Sequence, residues 1–411
     1  MEKKFSSVAA TEENKNWQKL IERRDSLYSR KDDIRSPFAR DYTRVLHSLA
    51  YRRLKHKTQV FFNAAGNDHI CTRIEHVSHV ESVSSTIARQ LGLNEELTKA
   101  IATAHDLGHA PFGHEGERII SRLTEEHLGY KFWHEKNGVY LVDDLELLED
   151  NECNLKNLDL TYAVRDGIIS HCGEVDENGL FPRKELFDLS LFETPGQFQA
   201  ATWEGCVVKL ADKIAYLGRD IEDAKRLGFL SKEDVLYLEN MAGIRNEKAV
   251  NTTVIMHNMI LDLCENSSPE HGLRLSEELN EQLSAIKKFN YDHIYTNPRM
   301  KPFTEYSELI IRHIFEKLRT FYRGTNTISY ILNDADESYG FVRSFADWLV
   351  MYVDGDIEVP NKYSKLKGRC RNRKIYSNLE DEKVYLQAVI DYIAGMTDVY
   401  AIKAFQELLA C

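Results

Sequence analysis

Seven of the chain's 15 histidines fall between residues 76 and 134, namely His76, His79, His105, His109, His114, His127 and His134. A neutral imidazole is the commonest protein ligand for a metal, and the adjacent pair His105-Asp106 offers a nitrogen and an oxygen donor from consecutive positions. Farther along, Asp212, Tyr216, Asp220 and Asp223 recur at steps of four, four and three. That spacing draws one polar stripe on a helix whose other side is Val207, Val208, Ala211, Ile214, Ala215, Leu217, Ile221 and Ala224. Two histidines and two aspartates suit a divalent metal with positions left for water, and the mixed donor set does not choose among Mn, Mg, Fe, Ni and Zn. Each signal has a plainer reading when taken alone. An isolated His-Asp dipeptide is most often a surface pair or a satisfied cap, and carboxylates beside Lys209, Lys213 and Arg219 are most often a solvated face.

Such side chains need rigid elements to bring them together, and the sequence supplies helices. Val77, Val80, Val83, Ile87 and Leu91 recur at steps of three and four, as do Leu97, Ala100, Ile101 and Ala104. Asn94 is a good N-cap, Glu95 and Glu96 suit the first turn behind it, and Gly108 is placed to stop that helix just beyond His105 and Asp106. Gly113 and Gly116 flank His114 in a segment expected to turn before a helix through Ile119, Ile120 and Leu123. The stripe of aspartates predicts a helix over 205–227. Few segments alternate at period two, so the expected fold is all-α, with strands at most as short hairpins.

With 411 residues, of which 43% are hydrophobic, the chain can bury a sizeable core, and its 8 prolines and 21 glycines mark no linker or repeat. No stretch approaches the roughly 20 apolar residues of a membrane span, and Met1, Glu2, Lys3 and Lys4 are not followed by an apolar signal core. No membrane partner is expected, and the expected compartment is the cytoplasm. Seven cysteines without a CxxC pair fit reduced structural thiols. The net charge of -12 argues against nonspecific nucleic-acid binding, although residues 1–57 carry 15 Lys or Arg against 8 Asp or Glu. That basic segment is read as a solvated surface or as a face for an anionic ligand. Neither GxxxxGK[ST] nor GxGxxG occurs after a strand, so a P-loop or dinucleotide site is not supported.

The order His76, His105-Asp106, Asp212 resembles the signature of the HD-domain phosphohydrolases. Longer words narrow the resemblance: RSPFARD (35–41), RRLKHKTQVF (52–61), TRIEH (72–76), AHDLGHAPFGHEGE (104–117), DGIISHCGE (166–174), LADKIAYLGRDIEDA (210–224), IYTNPR (294–299) and DYIAGMTDVYA (391–401). Together they resemble the bacterial deoxyguanosinetriphosphate triphosphohydrolase family, from about residue 35 to the C-terminus. The resemblance implies an N-terminal extension over 1–34, an HD core over 35–230 and a C-terminal helical region over 231–411 that completes a nucleotide site.

It further implies one divalent metal ion per site, held by His76, His105, Asp106 and Asp212. His114 would be the catalytic histidine with Glu117 setting its tautomer and raising its pKa, and His109 and His134 would be further site histidines. Arg73 and Lys213 would meet the triphosphate, Gln59 and Asp220 the 3′-hydroxyl, and Tyr216 would occupy the space of a 2′-hydroxyl. His79, His127 and His171 match no family role and are read as structural. Tyr295, Asp391 and Tyr392 sit in matching words without an assigned contact. Arg219 stands where many bacterial members have His and where the vertebrate relative that carries a SAM domain has Arg, so the resemblance does not decide base preference.

The implied reaction is hydrolysis of a deoxynucleoside triphosphate, dGTP or several dNTPs, to deoxynucleoside and tripolyphosphate. Implied partners are copies of the same chain in a homo-oligomer, a hexamer or other even-numbered assembly, and a nucleotide or single-stranded DNA effector. Two other readings stay in view. Another HD-type hydrolase, a 5′-nucleotidase or phosphodiesterase, would not need Gln59, Arg73, Lys213 and Tyr216 together. A catalytically silent nucleotide or DNA sensor would not need all four metal positions beside His114 and Glu117.

Overall fold

Thr72 opens the helix that carries His76: its backbone N–H donates to the Glu75 carboxylate at 2.7 Å, and Gly92 in the left-handed region closes the other end. The computed structural model describes residues 3–25, 33–62, 67, 69–172, 178–242, 252–334, 339–354 and 360–410. Met1 and Glu2 of the N-terminal charge cluster, residues 26–32 of the N-terminal region, and Gly173 and Glu174 of the word at 166–174 lie outside these residues.

The elements that position the site are α1 (Pro37–His47), α2 (Arg73–Leu91), α3 (Glu95–Ala104), α4 (Gly113–His127), α5 (His134–Tyr140), α6 (Tyr162–Ser170), α7 (Trp203–Arg226), α8 (Lys301–Arg319), α9 (Glu382–Ala394) and α10 (Asp398–Leu409). Among the described residues the only sheet is a two-stranded antiparallel ribbon, β1 (Leu147–Glu149) with β2 (Leu155–Asn157), in which Leu148 faces Lys156. The all-α expectation holds. No helix among the described residues is long and apolar enough to cross a membrane.

Helix α2 packs against both α3 and α7, burying Val77, Val80 and Ile87 on one side and Ala211, Ile214 and Ala215 on the other. Helix α8 packs against α4, α9 and α10, so the C-terminal third braces the helix that bears His114. The N-terminal residues join the same core: Phe5 is fully buried with its ring edge-on to Trp203 at 4.9 Å, and Lys4 Nζ donates to the carbonyl of Glu265 at 2.8 Å.

Local chemistry accounts for the boundaries and corrects three expectations. Asn94 Oδ1 accepts the backbone N–H groups of Glu96 and Leu97, as its type predicts. Helix α7 starts at Trp203 rather than residue 205, because Thr202 Oγ1 accepts the Gly205 N–H at 3.1 Å. Helix α4 starts at Gly113, so Gly116 lies inside it instead of in a preceding turn. Gly108 does not act as a left-handed stop, since α3 already ends at Ala104 and Gly108 is absent from the positive-φ residues. Its role is close approach: a Cβ there would meet the His134 carbonyl oxygen at 2.0 Å and the Gly138 nitrogen at 2.3 Å. Only a glycine lets the loop after the His-Asp pair lie on α5.

Candidate active site

Three helices meet at the His105-Asp106 pair. From the first turn of α2 come Arg73 and His76, one helical step apart and therefore on one face. His105 and Asp106 leave the end of α3, and Asp212 projects from the middle of α7. His76 Nε2 stands 2.9 Å from Asp212 Oδ1 and 3.7 Å from Asp106 Oδ2, and His105 Nε2 stands 3.5 Å from Asp106 Oδ1 and 3.9 Å from Asp212 Oδ1. His76, His105 and Asp212 offer atoms within 4.8 Å of one another, as do His105, Asp106 and His171, and donors bonded at ~2.0–2.2 Å to a single ion stand roughly 3 Å apart.

The tautomer is prepared for it. His105 Nδ1 lies 2.6 Å from the Ala102 carbonyl, which fixes the proton on Nδ1, while the buried Nε2 has no hydrogen-bond partner among the described residues. That orphaned lone pair, facing two carboxylates, is the observation that fits a metal. Burial pushes the Asp106 carboxyl up, but His105, Arg73 and His109 around it outweigh burial and hold it well below the usual carboxylate range. For Asp212 burial likewise acts upward, and the hydrogen bond and charge of His76 prevail. Anionic oxygens at 3% exposure in the case of Asp106 are the donors a hard or borderline cation requires.

Beside this centre lies a second histidine group. Glu117, on α4, accepts the His134 backbone N–H at 2.9 Å and faces His134 Nδ1 at 3.0 Å and His114 Nδ1 at 3.4 Å. The carboxylate expected to serve His114 thus holds His134 more closely. Burial pushes the His134 imidazole down, but the Glu117 and Glu135 charges outweigh it and raise it well above the usual range. His109 is held neutral by burial and by the Arg73 and His134 charges; its ring stacks on His134 with centroids 3.7 Å apart. His114 has a side chain 71% exposed at the mouth of the site.

Both groups open into one cavity of about 440 Å³. Gln59, Arg73, His109, His114, His134, Lys213, Tyr216 and Asp220 all line it, so the structure brings together every residue named from the sequence for substrate and chemistry except Glu117, which stands behind His114 and His134. Arg73 meets Asp106 at 2.7 Å and the carbonyls of Thr58 and Gln59, so its guanidinium is already engaged on the protein. Asp223 departs from the stripe: it accepts the Cys71 backbone N–H at 2.9 Å and does not line the cavity. Arg219 turns to Glu222 and His79.

Some lining residues escaped the sequence reading. His171, taken as structural, stands with Nε2 3.9 Å from Asp106 Oδ1 and its ring 4.9 Å from His105. Its Nδ1 faces the Ile168 carbonyl at 2.7 Å, the same arrangement as His105 with Ala102, and its position one residue past α6 was the available signal. His127 is structural as expected, stacked on Phe315. Tyr295 donates to Asp220 Oδ2 at 2.5 Å, and with Tyr291, Met300 and Phe303 it lines the same cavity. Burial pushes the Asp220 carboxyl up to about 7, against the hydrogen bond from Tyr295.

The floor is pinned from far along the chain. Phe112 sits in the left-handed region at φ 66°, where a non-glycine residue is strained. Asp398, the first residue of α10, holds it there: one carboxylate oxygen accepts the Phe112 N–H at 2.8 Å, and the other accepts the Thr58 N–H at 2.9 Å and the Thr58 hydroxyl at 2.5 Å. Asp398→Ala leaves these buried donors unpaired and is expected to lower the unfolding free energy by about 2–4 kcal/mol in a denaturant titration. An unchanged midpoint and slope would show the clamp to be dispensable.

Lys57, buried beneath the same floor, donates to the carbonyls of His109 and Ala394, and burial pushes its ammonium down to about 7. From about 7 up to its ordinary value the unfolded chain holds the extra proton, so stability from this group grows as pH rises through that window and is lost below it. Lys57→Met is expected to flatten that rise when unfolding is followed at a series of pH values.

Known proteins resemble the chain over most of its length. The family described as HD domain matches residues 73–217, and the one described as Phosphohydrolase-associated domain matches residues 367–407. The chain is similar to a protein named deoxyguanosinetriphosphate triphosphohydrolase-like protein in Caldanaerobacter subterraneus, at 32% identity over 92% of this chain and 86% of that one. Relatives with the same name occur in Desulfatibacillum aliphaticivorans, 31% identical over 91% of this chain and 88% of that one, and in Thiobacillus denitrificans, 30% identical over 92% and 91%.

Proposed function

The chain belongs to the deoxyguanosinetriphosphate triphosphohydrolase-like family of HD-domain phosphohydrolases, and from that premise we propose that it hydrolyses deoxynucleoside triphosphates, dGTP among them, to deoxynucleoside and inorganic tripolyphosphate. The observation that carries this reading is the meeting, in one cavity, of His76, Asp106 and Asp212, with His105 just behind them, the histidines around Glu117, and a wall that includes Tyr216, Asp220 and Tyr295.

His76, His105, Asp106 and Asp212 would hold one divalent ion, which when bound would supply Lewis acidity and a more acidic water. Water attacks the α-phosphorus, the bond from phosphorus to the 5′-oxygen breaks, and the departing oxygen needs a proton. His114, at the mouth and oriented through Nδ1 by Glu117, delivers it. His134, Arg73 and Lys213 line the cavity and would meet the triphosphate oxygens, which gain charge as water adds to the α-phosphorus. Gln59, whose Oε1 is buried without a partner among the described residues, and Asp220 face the 3′-hydroxyl.

Tyr216 fills the space of a 2′-hydroxyl. Tyr216→Ala is therefore expected to shrink the preference in kcat/KM for dGTP over GTP by roughly 10–100-fold, with the rate on dGTP changed less. An unchanged ratio would remove Tyr216 from sugar selection.

Incubation of the purified chain with each dNTP and Mn or Mg, with products resolved by chromatography, tests the reaction itself. Deoxynucleoside with intact tripolyphosphate is expected. Release of orthophosphate or pyrophosphate would instead favour another HD-type hydrolase.

A further inference from the structure

The proposed reaction leaves the word DYIAGMTDVYA without a role, yet six of its residues, Asp391, Tyr392, Gly395, Met396, Thr397 and Tyr400, line a second cavity of about 630 Å³. It shares no lining residue with the catalytic cavity. Trp348 and Tyr352 add two rings to those of Tyr392 and Tyr400, with the Trp348 centroid 4.9 Å from Tyr352 and 5.5 Å from Tyr392. Among the described lining residues the one cation, Arg53, is matched to Glu146 at 2.9 Å, so none is left over for a phosphate. Asp391 is not matched in this way. It is 4% exposed, and the groups that act on its charge are hydroxyls, an amide and the like charge of Asp144. Its carboxylate accepts from Tyr376 at 2.6 Å, Gln387 at 2.8 Å and Tyr140 at 3.1 Å, and because a carboxylate has about four acceptor sites, one remains. Burial pushes the carboxyl up to about 6 against those hydrogen bonds, as befits an anion held without a counter-charge.

We propose that this cavity binds a small organic cation, a primary amine on an aromatic or apolar body, with its ammonium group on Asp391 and its body among Trp348, Tyr352, Tyr392 and Tyr400. An ammonium group brings N–H donors for the open acceptor site and the positive charge that the buried carboxylate lacks. Aromatic rings attract cations through their faces, which adds to the same preference. An anionic ligand would meet Asp391 with no free cation to offset it. The site stands back to back with the catalytic floor: Asn137 in its wall gives Nδ2 to the Gly108 carbonyl at 2.7 Å, and Thr397 precedes Asp398, whose carboxylate secures Phe112 and Thr58. The amine site does not depend on the reaction assigned to the other cavity.

Tryptamine and tryptophol share one indole body and differ in carrying an ammonium or a hydroxyl group, so titration calorimetry of each into the Mn-loaded full-length chain isolates the charge. Tryptamine is expected to bind saturably and at least about tenfold more tightly than tryptophol. Asp391→Asn, which keeps the shape and removes the charge, should weaken tryptamine by at least about tenfold and leave tryptophol little changed. Ser344→Trp fills the cavity from an exposed position on its wall and should abolish binding of both, which keeps the test decisive if the Asp391 variant folds poorly. Absence of saturable tryptamine binding to the parent chain, equal affinity for amine and alcohol, or tryptamine binding that is unchanged in both variants would overturn the proposal.

Discussion

Asp106→Ala is expected to abolish dNTP turnover and metal content together. The Asp106 carboxylate is the hub of the centre, within 4 Å of His76, His105, His109 and His171 and bonded to Arg73. Without it the remaining donors lose an anion, and the Arg73 charge, buried and now unmatched, repels any cation that approaches. Loss of a metal's Lewis acidity removes several kcal/mol of transition-state stabilisation, so the rate should fall by at least about three orders of magnitude. Elemental analysis beside steady-state kinetics checks both halves, and Asp106→Asn, which keeps the shape, guards against a folding defect. Full activity in either variant would refute the metal assignment.

His114→Ala should separate chemistry from binding. The side chain is exposed and makes a long contact with Glu117 and edge-on ring contacts with His109 and His134, so folding and occupancy of the His76, His105, Asp106, Asp212 centre should stay as in the parent. Loss of a positioned general acid typically costs 10²–10⁴-fold, and that loss should fall on kcat with KM little changed. A large rise in KM at constant kcat would instead make His114 a binding residue and move the proton donor elsewhere, with His134 the nearest candidate.

The sequence was most informative where chemistry and local geometry coincide. The clustered histidines, the His105-Asp106 pair and the Asp212 stripe stood out from the residues alone, but only the resemblance to HD-domain phosphohydrolases joined His76, His105, Asp106 and Asp212 into one metal set; Asn94 could be named because a cap acts within three residues. The stripe on α7 was legible as far as Asp220, but helical spacing alone cannot tell a carboxylate that faces a cavity from one that caps a distant backbone, and Asp223 proved to be the second kind. The Asp398 clamp joins residues 340 positions apart, and the left-handed Phe112 it secures carries no local signature because phenylalanine does not favour that conformation. Tyr295 becomes meaningful only once the chain returns across the mouth of the cavity to meet Asp220. His171 was missed for a different reason: its signal, a histidine just past a helix end with Nδ1 to a carbonyl three residues back, was the one that His105 carries, and it lacked only an adjacent aspartate.

The reaction proposed for this centre is most directly tested by a single turnover of dGTP in ¹⁸O-labelled water with the Mn-loaded chain, with the products weighed by mass spectrometry. Water adding to the α-phosphorus places one ¹⁸O in tripolyphosphate and none in deoxyguanosine, and that is the expected pattern. Label in the nucleoside 5′-hydroxyl, or in released orthophosphate or pyrophosphate, would contradict it.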